Sequence, residues 1–103
     1  MLRGSFWLRL TSSGNLIGEF TNNANTRIFS ESADAVEPVD LESFEGDYIS
    51  TWQEDRAPLG ANLKITQAGQ KFNLIWTRID NGSIIFRGEG FLVGDLLIGH
   101  YEI

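Results

Sequence analysis

Cysteine is absent from these 103 residues, and proline, histidine and methionine are scarce, with two, one and one. The first absence rules out disulfides, thiolate nucleophiles and sulfur-ligated metal sites. Basic residues are also short. Eight Lys and Arg against fourteen Asp and Glu leave a formal charge of −6. A general nucleic-acid binder needs a basic face to displace counterions from phosphate, and an anionic membrane surface asks for the same. Neither nucleic acid nor membrane is therefore an expected partner. No apolar run approaches membrane-spanning length. Met1-Leu2-Arg3-Gly4-Ser5-Phe6-Trp7-Leu8-Arg9-Leu10 has no long uncharged apolar core, since Arg9 interrupts it, and does not read as a signal peptide. As written the chain reads as cytoplasmic, with a longer natural start left open. Sustained helical periodicity is missing as well.

What is present is aromatic and alternating. Three Trp, two Tyr and seven Phe sit in a chain long enough for one domain, residues 1–103, around a single core. Alternation of apolar and polar residues predicts strands at Ser5–Thr11, Leu16–Asn22, Thr26–Ser32, Gly46–Glu54, Asn62–Gln67, Lys71–Arg78, Ile84–Val93 and Leu96–Ile103. Turn chemistry separates most of them: Gly14-Asn15, Gly69-Gln70, Asn81-Gly82 and Gly94-Asp95. Asn-Gly is the strongest hairpin signal, because it suits the primed turns that match strand twist. Eight strands with short connections form a meander, and a meander of eight can close on itself and abolish its edges. The expected fold is all-β, an eight-stranded antiparallel up-and-down barrel. A small open sandwich is the alternative.

One interval departs from this pattern. From Glu31 to Asp47 there are seven acids, no base and Pro38. The expectation is a solvated acidic connector at about 33–45 between the two halves, with one short helix near Asp40–Phe44. Calcium loops need closely spaced ligands around a glycine. That order is lacking, so no metal is expected.

A glycine-polar-aromatic unit recurs. Leu16-Ile17-Gly18-Glu19-Phe20 is echoed by Leu97-Ile98-Gly99-His100-Tyr101, and Gly46-Asp47-Tyr48 falls between. Glycine inside a strand marks a bend or a close backbone approach. Ser5–Leu10 through Gly14–Asn22 resembles the second and third strands of the avidins, where Gly-x-Leu-x-Gly-x-aromatic is typical. Gly46–Trp52, Lys71–Trp76, Phe86–Gly90 and Gly94–Tyr101 are similar to small uncharacterised bacterial barrels of the avidin-like and lipocalin-like (calycin-type) group. The resemblance implies a barrel with an internal ligand. It does not carry biotin over: the family's hydroxyl-bearing aromatic would match Phe20, its neighbouring Ser would match Asn22, and its first strand finds no counterpart.

No catalytic set emerges. His100 is the sole histidine and falls on the strand face opposite Tyr101, the place of a surface or interface residue. There is no Gly-x-Ser-x-Gly elbow. Glu89 and Glu102 alternate outward, and Gly88-x-Gly90 precedes no helix and is not a phosphate loop. If an activity existed, it would be non-covalent isomerase or cyclase chemistry. The expected function is instead non-catalytic binding of a small hydrophobic or aromatic ligand, without cofactor. Phe20, Ser30, Tyr48, Ser50, Trp52, Phe72, Trp76, Phe86 and Tyr101 are the expected lining. The competing expectation is a structural or interaction barrel with a filled interior. Outward apolar residues, Ile17, Ile49, Ile75, Ile85, Phe91, Leu96 and Ile98, form a large patch for a monomer and suggest a homodimer.

Overall fold

The structure, a computed structural model, describes residues 1–24, 26–36, 43–54 and 57–103. Eight strands follow one another: β1 (Arg3–Leu10), β2 (Leu16–Phe20), β3 (Phe29–Ala35), β4 (Gly46–Glu54), β5 (Ala57–Ala68), β6 (Lys71–Thr77), β7 (Ile84–Val93) and β8 (Leu96–Glu102). Each pairs antiparallel with the next, and β1 pairs with β8, closing the barrel. The open sandwich is thereby excluded.

Two of the turns the sequence marked are tight two-residue hairpins. Gly69 and Gly94 take φ of 66° and 64°, and each opens a two-residue connection between paired strand ends. The Asn81-Gly82 connection is wider than a two-residue hairpin. Arg78 N–H donates to the Ser83 carbonyl and Gly82 N–H to the Arg78 carbonyl, and the register shifts at Trp76/Thr77. Arg78 and Asp80 form a two-pronged ion pair in this exposed loop.

Most strand ends fall within two residues of the alternation reading, and β3 and β5 differ more: β3 starts at Phe29 instead of Thr26. β3 runs on to Ala35, into the acidic interval. β5 begins at Ala57 instead of Asn62, with Pro58 near its first residue, where a missing N–H is tolerated. The connector also ends in a buried residue, Phe44, rather than in solvated chain. The helix expected near Asp40–Phe44 falls mainly outside the described residues; Ser43 and Phe44 are not helical.

Parity along the strands sends one set of side chains into the lumen, and topology sorts them by depth. The β1–β2, β5–β6 and β7–β8 turns share one end of the barrel with the β3–β4 connector. At that end Leu8, Leu16, Leu63, Ile65, Leu74 and Leu97 are 0–1% exposed. Phe44 caps this layer: its ring lies edge-on to Phe72 at 6.1 Å, and its carbonyl accepts the Tyr48 hydroxyl at 2.8 Å. These side chains belong to the packed core of the barrel. The other end, where both chain termini lie, is built from rings. Outside, Ile17, Ile49, Phe91 and Ile98 are exposed, and Phe91, Ile98 and Trp7 form one cross-strand row. Ile85 differs from the outward expectation, because it is half-buried and packs against the core.

Candidate functional site

β3 sets the site. Phe29, Glu31 and Ala33 take the inward positions, and Ser30 and Ser32 the outward ones. Glu31 is thus the one acidic side chain among the described residues that is fully inside, 5% exposed. Its carboxylate accepts two hydrogen bonds, both on Oε2: from the Ser50 hydroxyl and from Trp76 Nε1 at 2.9 Å. Oε1 takes neither. Directly across the β3–β4 ladder from Glu31 stands Trp52. Trp52 Nε1 is buried and, among the described residues, is a donor with no acceptor. A buried donor left unpaired costs about 1–3 kcal/mol, so this corner of the lumen is polar and incomplete.

Burial dominates the acidity of Glu31 and pushes it above the ordinary carboxylate range, while the Ser50 and Trp76 hydrogen bonds pull the other way. No lining residue carries positive charge. The remaining walls are aromatic. Phe20 and Tyr101 meet edge-to-face at 6.1 Å, Phe86 and Tyr101 at 5.3 Å, and Phe6 and Trp76 at 6.0 Å. Such edge-to-face pairs fix the rings beyond what area burial alone would do. Tyr101 is further held by its hydroxyl, which donates to the Thr21 carbonyl at 2.8 Å. Between Glu31, Trp52 and these rings remains a cavity of about 20 Å³, room for one small group the size of water. Leu2 also lines it, and the Ile103 N–H donates to the Leu2 carbonyl.

Of the nine expected lining residues, Phe20, Trp52, Trp76, Phe86 and Tyr101 border this cavity. Ser50 sits behind it and acts on it through Glu31. Tyr48 and Phe72 face the lumen but in the filled half, where Tyr48 bonds to Phe44. Ser30 is a correction: it is exposed on the outer wall, because the inward parity of β3 belongs to Phe29. Sequence reasoning passed over Phe6, Leu2 and, above all, Glu31. The signal for Glu31 was available in its two-residue spacing from Phe29 and Ala33.

His100 is on the outside, with 67% of its side chain exposed and Nε2 3.5 Å from Glu89 Oε1, which also neighbours Lys71. Among the described residues no three His, Asp or Glu side chains come together as a metal cluster. Against known proteins, the chain matches no family model, no curated protein and no solved structure.

Proposed function

We propose that the protein binds a small hydrophobic or aromatic molecule, without transforming it, at the open end of an avidin-like or lipocalin-like barrel. One observation carries the reading. A space between these lumen rings is lined by Trp52, whose buried indole N–H has no acceptor among the described residues, and by Glu31, whose Oε1 takes neither of the carboxylate's two hydrogen bonds, an arrangement a ligand completes and a purely packed core does not need. The likeness of β1 and β2 to avidin strands is one of local pattern, since in chain order β1 is the first strand of this barrel. The cavity has Glu31 but no neighbouring acid or base besides the Tyr101 phenol, which is engaged with Thr21, and this favours binding over catalysis.

The second reading, a structural or interaction barrel, draws on the buried aliphatic layer at the β1–β2 turn end and on the small volume of the cavity. Benzyl alcohol separates the two. Added to the wild-type protein, it is expected to change tryptophan emission saturably, because Trp52 and Trp76 form the walls. A response that is merely linear up to the solubility of the probe favours the structural barrel.

A further inference from the structure

We infer that the molecule held at this end of the barrel is a small organic amine, its ammonium group entering the cavity and pairing with Glu31 Oε1. The inference rests on the binding reading above and adds the chemical class of the ligand. It starts from a mismatch of charge. Carboxylates are almost never fully buried unless paired, because removing an ion from water costs far more than a neutral hydrogen bond returns. Glu31 is buried among Phe6, Phe20, Trp52, Trp76 and Tyr101, and no Lys, Arg or His lines the same space.

Two neutral donors both go to Oε2, and neither is bonded to Oε1. An ammonium group would supply the missing positive charge there. The rest of the lining suits a cation as well. Aromatic faces attract ammonium groups, most strongly where water is excluded, and several rings around one site form a cage for such groups. The volume matches too: about 20 Å³ takes an ammonium head but not a ring, so the apolar part of the ligand must extend out of the cavity. Trp52, opposite Glu31 in the β3–β4 ladder, holds an unpaired indole N–H that would be a donor for an oxygen the amine carries. A net charge of −6 on the whole chain raises the local concentration of cations and disfavours anionic ligands.

Calorimetric titration with two probes of one shape tests this. Benzylammonium and benzyl alcohol present the same ring and differ in the charge on the terminal group. The wild-type protein is expected to bind benzylammonium at least tenfold more tightly. In Glu31→Gln, which keeps the volume and loses the charge, the ratio of the two dissociation constants should fall to about one. Equal affinities in the wild type would overturn the amine and leave the binding site standing. A preference that survives in Glu31→Gln would also overturn it, placing the attraction elsewhere on the acidic surface. Failure of both probes to bind would sink the binding reading itself, and the amine with it.

Discussion

Gly99→Ala is expected to destabilise the protein by about 3 kcal/mol or more, a large share of the roughly 5–15 kcal/mol that holds a domain of this size folded. Gly99 pairs with Gly90 of β7 on one side and Phe6 of β1 on the other. A Cβ placed there would fall inside the Glu89 carbonyl and 2.7 Å from Gly90 Cα. The obstacle is backbone, which cannot rotate away as a side chain would. Relief requires β7 and β8 to separate, and a closed barrel passes that displacement on to its other strand pairs. Gly94→Ala supplies the contrast. Its φ of 64° strains an L residue, yet nothing lies within 4 Å of the added carbon. Strain alone amounts to about 1–2 kcal/mol. Urea denaturation of both variants should therefore rank Gly99→Ala well below Gly94→Ala. The reverse order would mean that the β7–β8 contact is looser than described.

Glu31→Gln is expected to do the opposite and stabilise the free protein near neutral pH, by about 1–3 kcal/mol, the cost of a poorly compensated buried polar group. The amide oxygen can still accept from Ser50 and Trp76, and no charge is buried. The sign of the pH dependence follows from burial, which raises the folded-state pKa of Glu31 above its unfolded value of 4.5. Below 4.5 the carboxyl is protonated in both states and the wild type loses nothing. As pH rises above 4.5 the unfolded chain ionises first, so stability falls until the raised folded value is passed, and is level beyond it. The groups facing Glu31 from β1, β2, β4, β6 and β8 are Phe6, Phe20, Ser50, Trp52, Trp76 and Tyr101, none of which is charged in this interval. The difference in unfolding free energy between Glu31→Gln and wild type should be small at pH 4 and grow toward pH 7. A difference that shrinks over that range would show that the carboxylate is better paired than the lumen suggests.

The architecture was legible because a barrel is written in parity and punctuation. Alternation in residues such as Leu63-Lys64-Ile65 and Phe72-Asn73-Leu74 fixes which side chains enter, and Gly69 and Gly94 fix where the chain returns. Parity gives a face, however, and not a depth. Tyr48 and Phe72 were assigned the right face and lie in the filled half, because depth depends on the stagger between strands. At β3 even the parity was ambiguous. Ile28 and Phe29 are adjacent and both apolar, and choosing the frame of Ile28 brings Ser30 inside. The structure exposes Ile28 and buries Phe29, and that shift of one residue exchanges Ser30 for Glu31. The run of acids hid the same residue from composition, since seven carboxylates in a row of seventeen read as solvated chain.

The indole N–H resonances test the account most directly, because the chain has three tryptophans in three different settings. Trp52 Nε1 is buried without an acceptor, Trp76 Nε1 is bonded to Glu31, and Trp7 Nε1 lies on the outer wall, donating to Glu19 at 3.2 Å. On titration with benzyl alcohol, ¹⁵N–¹H spectra should show the Trp52 resonance moving most, Trp76 following it with the same saturation curve, and Trp7 staying in place. Saturable movement of Trp7 alone, or none in any of the three, would contradict a ligand site inside this end of the barrel.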